Sequence, residues 1–122
     1  MKKNNIGPSD RQLKVGENLR KAISFMMQNH SFHNPIIDKA SILITEVRIS
    51  PNLSNASVYI STLGGINNSE SLTSALNNAW RPLVGRLTRE LKLRRAPKLN
   101  FMLDDSFERQ AFIDNLINSA KK

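Results

Sequence analysis

The first part of the chain carries a helix pattern. From Asp10 to about Asn29, apolar residues recur at three- and four-residue spacing, which places them on one side of an α-helix. These residues are Val15, Leu19, Ala22, Ile23 and Met26. Ser9 precedes the pattern and is of a residue type that caps helix N-termini. The segment from His30 to Asp38 contains Pro35 and is predicted to be a loop.

The spacing of apolar residues then changes to two, which predicts β-strands. In the first strand, one face would carry Leu43, Thr45, Val47 and Ile49, and the other Ile44, Glu46 and Arg48. In the second strand, Ala56, Val58 and Ile60 alternate with Ser57, Tyr59 and Ser61. Ser50–Leu53 lies between the strands and has the composition of a turn. The pattern predicts a hairpin with one apolar face, and such a sheet carries helices on one side only.

A second helix pattern leads up to Trp80, with Leu72, Ala75, Leu76 and Ala79 on its inward side. Pro82 interrupts this pattern, because it has no N–H for the Asn78 carbonyl and its ring clashes with the preceding turn. We therefore expect a bend between Trp80 and Pro82, followed by a further helix from Pro82 to about Leu93. The inward residues of that helix would be Leu83, Leu87 and Leu91.

The last part of the chain predicts a strand and a helix. Leu99, Phe101 and Leu103 alternate as in a third strand. Asp105 with Glu108 resembles a capping box that opens a final helix. The inward side of that helix would carry Ile113, Leu116, Ile117 and Ala120. The order of elements predicts one α+β domain over residues 10–120, preceded by a flexible basic arm over residues 1–9.

Charge indicates the class of partner. The 122 residues carry a net charge of +8 with a pI near 10.3, which favours nucleic acid or an anionic membrane surface. The excess of positive charge is concentrated in Arg81–Lys98, hereafter the basic segment, which contains seven basic residues and a single acid, Glu90. A solvated helix face usually mixes charges of both signs, whereas this segment would repel itself without an anionic partner. The candidate nucleic-acid-binding residues are Arg81, Arg86, Arg89, Lys92, Arg94, Arg95 and Lys98. A secondary basic face on the first helix comprises Arg11, Lys14, Arg20 and Lys21.

Other classes of protein find little support in the sequence. There is no cysteine, no secretory signal pattern, and no apolar run near the roughly 20 residues of a membrane span, so we expect a soluble intracellular protein. His30 and His33 are too few for a zinc site, which needs three or four ligands. Asp104 and Asp105 are adjacent at a strand end and would point apart. We expect no catalytic, cofactor-binding or metal site.

Three stretches of the chain resemble the ribosome-binding factor A family. They are Ile42–Ser61, which covers the hairpin, Leu93–Phe101 followed by Asp104–Ser106, and Arg11–Val15 in the first helix. The resemblance extends from about Arg11 to Ala120. It implies a KH-type, type II-like domain with a three-stranded sheet, helices on one face and an additional C-terminal helix. In that family a helix kink built on Ala-x-Gly replaces the Gly-x-x-Gly loop of other KH domains.

The kink motif is only partly present here. Its counterpart is Ala79-Trp80-Arg81, in which the Ala matches and the Gly does not, and Pro82 follows directly. Because proline bends helices for an independent reason, we expect the kink to persist over Ala79, Trp80, Arg81 and Pro82. Trp80 would either stack on a base or pack in the bend, and packing is the favoured role. Tyr59 is expected to cover sheet surface.

The resemblance also implies a function. Family members help mature the small ribosomal subunit, so the expected partners are the 30S subunit and its 16S rRNA. The protein would act in the cytoplasm as a monomer, without catalysis, cofactor, small-molecule substrate or membrane. Two alternatives remain open: a generic KH-like module that binds other transcripts, and a domain whose basic face binds an acidic protein.

Overall fold

The computed structural model describes residues 7–62 and 69–104. The helices are α1 (Asp10–Asn29), α2 (Pro35–Lys39), α3 (Ser69–Trp80) and α4 (Val84–Glu90), and a 3-10 turn (Arg81–Leu83) separates α3 from α4. The strands are β1 (Ile42–Ile49), β2 (Asn55–Thr62) and β3 (Lys98–Leu103). The C-terminal helix predicted from Asp105 onward and most of the N-terminal arm lie outside the described residues.

Helix α1 begins with a capping box. The Ser9 hydroxyl accepts a hydrogen bond from the Gln12 backbone N–H (3.2 Å), and the Gln12 side chain accepts one from the Ser9 N–H (2.9 Å). Each bond satisfies a backbone N–H that would otherwise lack a partner at the helix start. The helix has the predicted bounds and buries Leu19, Ile23 and Met26.

The segment after α1 differs from the prediction. It was expected to be a loop from His30 to Asp38, but Pro35–Lys39 forms the short helix α2. Asn34 caps this helix by accepting a hydrogen bond from the Ile36 N–H (2.9 Å), and Ile37 is buried in the core. The prediction was wrong because proline does not always end a helix: at the first helical position its fixed φ and missing N–H fit well.

The sheet has the strand order β1-β2-β3. β1 and β2 form an antiparallel hairpin with Val47 opposite Val58, and β2 pairs with β3 in parallel with Val58 opposite Phe101. A parallel pair needs a crossover connection, which α3, the 3-10 turn and α4 provide. The inward residues of all three strands join those of the helices in a single core, so the helices cover one face, as expected.

A β-bulge in β1 changes which residues of that strand face the core. The pairing with β2 shifts between Ile44 and Glu46, leaving Thr45 as an extra residue. The extra residue reverses the alternation before it: Ile44 is buried, whereas the Leu43 side chain is 57% exposed. The sequence prediction placed Leu43 and Thr45 on the same face as Val47, and it was wrong for the residues before the bulge.

Helix α1 approaches β1 very closely at Gly16. A Cβ atom added to Gly16 would lie 2.6 Å from the backbone oxygen of Val47, a distance that real Cβ atoms do not reach. Beside this contact, the Gln12 side chain that completes the capping box also donates through Nε2 to the Ile49 carbonyl (2.9 Å). Because β1 is an edge strand, these contacts cover backbone groups that a neighbouring chain could otherwise pair with.

Candidate RNA-binding site

The break between α3 and α4 lies where the sequence predicted it. The α-helix ends at Trp80, the 3-10 turn follows over Arg81–Leu83 with Pro82 at its centre, and α-helical structure resumes at Val84. Proline lacks the N–H that would continue the α-helical ladder, which explains the change to 3-10 geometry at this point. We call the 3-10 turn the helix break.

Helix α4 is shorter than expected, ending at Glu90 rather than near Leu93. Lys92 adopts a left-handed backbone conformation (φ 54°), and the Leu93 N–H donates to the Thr88 carbonyl (3.0 Å). The Lys92 N–H donates to the Arg89 carbonyl (3.2 Å). These two bonds and the left-handed residue form a Schellman-type helix end, in which glycine is the usual residue. The chain therefore turns away from α4 at Lys92 and leads the remaining basic residues toward β3.

Trp80 packs within the helix break. Its side chain is 1% exposed, and its indole Nε1 donates to the Sδ atom of Met27 (3.3 Å). Its ring lies 5.9 Å from that of Phe32 and 5.8 Å from that of Phe101, between centroids. The favoured packing role is confirmed, since almost the whole side chain is buried against other residues of the core.

All seven candidate RNA-binding residues are exposed. Arg81 lies in the helix break, Arg86 and Arg89 on α4, and Lys98 at the start of β3, while Lys92, Arg94 and Arg95 lie in the connection between α4 and β3. Among residues 7–62 and 69–104, Arg86 is the one member of the set in an ion pair, with Glu90 at 3.4 Å. The positive charge of the basic segment is thus largely uncompensated within the part of the chain that is described.

A cleft that sequence reasoning missed lies between the helix break and β3. It has a volume of about 360 Å³ and is lined by the apolar side chains of Trp80, Pro97 and Leu99 and by the cations Arg81 and Lys98. Its two sides are tied together because Asn77 on α3 accepts a hydrogen bond from the Phe101 N–H of β3 (2.8 Å). The cleft depends on how α3 and β3 are placed relative to each other, and no local sequence signal reports that placement.

One of the four residues of the secondary basic face on α1, Arg20, forms an ion pair with Glu17. Arg20 donates to Glu17 through two nitrogens (2.9 and 2.6 Å) and is partly buried. This hydrogen bond is the largest cause lowering the pKa of the Glu17 carboxyl, to which the charges of Arg20 and Lys21 add. Arg11, Lys14 and Lys21 remain exposed and form no ion pair within the described residues.

Tyr59 and His30, which were also considered in the sequence analysis, contact other side chains of the protein. The Tyr59 ring lies half-buried on the outer sheet face, with the Arg48 guanidinium 5.6 Å from its centroid, so it covers sheet surface as expected. The His30 and Phe32 rings pack edge to face, with 4.9 Å between their centroids. In the described part of the chain, no three His, Cys, Asp or Glu side chains come together as metal ligands, and no helix is long and apolar enough to cross a membrane.

Comparison with known proteins identifies the family. The family model described as ribosome-binding factor A matches residues 11–117. The chain belongs to the ribosome-binding factor A family. A ribosome-binding factor A from Phenylobacterium zucineum is 37% identical over 115 residues, covering 94% of this chain and 79% of that protein.

Solved structures of ribosome-binding factor A share the fold. The crystal structure of the Thermus thermophilus protein matches with a TM-score of 0.62 and 27% identity, covering 75% of this chain and 94% of that one. A homology model of the Thermus thermophilus ribosome-binding factor A, fitted into a cryo-electron microscopy map of a 30S complex, matches with a TM-score of 0.57 and 27% identity. The match covers 74% of this chain and 91% of that one. The expected KH-like α+β fold is therefore confirmed.

Proposed function

We propose that this protein binds the small ribosomal subunit through its 16S rRNA and assists maturation of that RNA without catalysing a reaction. Family membership supports the proposal, as does the Thermus thermophilus relative that has been fitted into a 30S complex. The protein would act in the cytoplasm as a monomer and would need no cofactor or small-molecule substrate.

The observation that carries the proposal is the exposed and largely unpaired charge of the basic segment. Each Lys or Arg that meets a phosphate releases condensed counterions, so seven exposed cations with one neighbouring acid suit a polyanion. Arginine, which accounts for five of the seven, can bind phosphate through two parallel hydrogen bonds.

The cleft beside the helix break adds a surface shaped for a nucleotide. Arg81 and Lys98, which line it and are exposed, would contact phosphates, and the partly exposed Asn77, Val84 and Asn100 would contact a base or sugar. Such a site favours RNA with accessible, unstacked nucleotides over a regular duplex, because protein side chains do not reach the bases in the deep groove of an RNA helix.

Binding energy alone would produce the effect on maturation. A ligand shifts a conformational equilibrium only to the extent that it binds one conformation more tightly than the other. If the basic segment contacts phosphates that come together in one rRNA arrangement, the protein stabilises that arrangement while bound and leaves it unchanged chemically. No group in the protein has to take part in bond making or breaking.

Co-sedimentation tests the proposal. We expect the protein to sediment with isolated small subunits, and the double variant Arg94→Glu/Arg95→Glu to sediment much less while remaining folded. If about five phosphates are contacted, the logarithm of affinity should fall against the logarithm of salt concentration with a slope near −4.

Two other outcomes would point to the alternative functions. Equal binding to unrelated transcripts and to small subunits would indicate a generic RNA-binding module. A salt slope near zero, or binding that needs a protein partner instead of rRNA, would contradict the phosphate contacts and favour a protein-interaction domain. As a control, Lys121→Glu/Lys122→Glu makes the same change in net charge outside the basic segment.

A further inference from the structure

Helix α1 carries a second surface that the basic segment does not include. Along the side of α1 that faces away from the core, every third or fourth residue is exposed. We call these residues the outer stripe of α1, and they are Arg11, Lys14, Asn18, Lys21 and Phe25. At 1.5 Å per residue, the stripe is about 21 Å long.

The outer stripe carries a net positive charge. Its three cations form no ion pair within residues 7–62 and 69–104, and the stripe itself contains no acid. The two acids of α1 lie beside the stripe. Glu17 forms its ion pair with Arg20, while the charge of Lys21 also helps to lower its pKa, and Asp10 lies in the first turn, where the helix dipole favours a negative charge.

Phe25 ends the stripe with an exposed aromatic ring. Its side chain is 65% exposed, although Leu19, Ile23 and Met26 of the same helix are buried. An aromatic ring held in water beside cations is the combination that binds unpaired nucleic acid, since the cations contact phosphates and the ring stacks on a base. The stripe would cover about six nucleotides of a stacked strand, at about 3.4 Å per nucleotide.

The outer stripe and the helix break lie on different sides of α1. Met27, whose sulfur accepts the hydrogen bond from Trp80, marks the side of α1 that faces the helix break. Phe25 is two residues earlier and therefore about 200° away around the helix. An RNA segment on the outer stripe is thus not the segment that lies in the cleft beside the helix break.

We infer that the outer stripe of α1 binds a second, single-stranded segment of RNA, with Phe25 stacking on one of its bases, so that the protein holds two RNA segments at a fixed separation. This inference rests on the proposed function and adds a second contact surface to it. A membrane surface fits less well, because an interfacial helix needs a broad free apolar face, and that of α1 is buried in the core.

The first experiment measures equilibrium binding to isolated small subunits as a function of salt. Lys14→Glu/Lys21→Glu should reduce the magnitude of the salt slope by about 1.5, or about 0.7 to 0.9 for each lost phosphate contact. Phe25→Leu keeps an apolar side chain but removes the ring, and it should weaken binding about fivefold or more without changing the slope. Phe25→Trp should restore the affinity.

Matched controls separate these effects from net charge and from folding. Lys39→Glu reverses one exposed lysine on α2, so Lys21→Glu should weaken binding more than Lys39→Glu does. Thermal unfolding followed by circular dichroism checks that each variant is folded. If Lys21→Glu and Lys39→Glu are equal, or if Phe25→Trp binds no better than Phe25→Leu, the inference is overturned.

Footprinting of the rRNA in the complex distinguishes this inference from the proposed function. The parent protein should protect two separate RNA segments. Protection of one segment should be lost in Lys14→Glu/Lys21→Glu, and protection of the other should be lost in Arg94→Glu/Arg95→Glu. Protection that depends only on Arg94 and Arg95 overturns the inference and leaves the proposed function intact, whereas no rRNA protection at all contradicts both. Weakened binding of the α1 variant with an unchanged footprint at saturation would mean that the stripe meets a ribosomal protein, which also overturns the inference.

Discussion

The indole Nε1 of Trp80 lies 3.3 Å from the Sδ atom of Met27 and donates a hydrogen bond to it, joining the end of α3 to the last turns of α1. The contact satisfies the one polar group of a side chain that is otherwise buried among Phe32, Phe101 and the sheet. It also places the helix break, and the cleft beside it, at a defined position relative to α1. The stability of the candidate site is therefore linked to a residue that lies far from it in the sequence.

Replacing Met27 by Leu should destabilise the protein by about 1 kcal/mol, because the buried indole N–H loses its acceptor while the side-chain volume is nearly conserved. Urea denaturation measures the change. In a Trp80→Phe background the same substitution should cost less, and a double-mutant cycle gives the coupling. Met102→Leu, at an exposed position, is the control and should change stability by no more than about 0.5 kcal/mol.

Replacing either of two helical glycines, Gly16 and Gly85, by alanine should change the stability of the protein in opposite directions. Gly16→Ala places a Cβ 2.6 Å from the Val47 oxygen, so α1 must move away from β1. The cost of overpacking, about 1–3 kcal/mol, should exceed the gain in helix propensity of about 1 kcal/mol. At Gly85 the nearest atom is a terminal nitrogen of Arg89 at 3.7 Å, so Gly85→Ala should stabilise the protein by about 0.5–1 kcal/mol. Thermal unfolding of the two variants compares them, and a stabilising Gly16→Ala would contradict the close approach of α1 to β1.

Lys92 combines an unfavourable backbone conformation with a charge in the basic segment. Lys92→Gly should raise the stability by about 0.5–1 kcal/mol, because glycine adopts a positive φ without steric cost. The same variant should reduce the magnitude of the salt slope of RNA binding by about 0.7 to 0.9, if Lys92 contacts a phosphate. Lys92→Ala separates the two effects, since it should lose the phosphate contact without gaining stability. An unchanged slope in both variants would remove Lys92 from the candidate site.

Pro82→Ala tests the helix break. Removing the proline is worth up to about 3 kcal/mol of local helix preference, so α-helical structure should extend through Arg81–Leu83. The variant should gain helical signal in far-ultraviolet circular dichroism and bind small subunits more weakly, since Arg86 and Arg89 would shift away from Arg81.

Pro51→Ala, at an exposed proline in the hairpin turn, provides the comparison for Pro82→Ala and should change neither property. If Pro82→Ala binds as tightly as the parent protein, then the packing of Trp80 alone maintains the break, or the break is not part of the RNA site.

Several features were determined by the sequence alone, because they depend on residues close together in the chain. The N-cap at Ser9 and the interruption at Pro82 involve groups within four residues of each other, and their effects hold in almost any tertiary setting. The alternation in β2 and β3 is likewise a pattern of neighbouring residues, and it predicted the strands. The concentration of charge in the basic segment is also local, and it predicts a polyanionic partner.

Other features were decided only by the tertiary structure, because they depend on contacts between distant residues. The bulge at Thr45 is defined by the pairing of β1 with β2, and a single extra residue reverses the faces that an ideal alternation predicts. The contact of Gly16 with Val47 and the burial of Trp80 against Met27 require two elements to be packed together. The cleft between the helix break and β3 is lined by both Arg81 and Lys98, and the parallel pairing of β2 with β3 positions Lys98 there. No pattern of neighbouring residues predicts that these two side chains line one cleft.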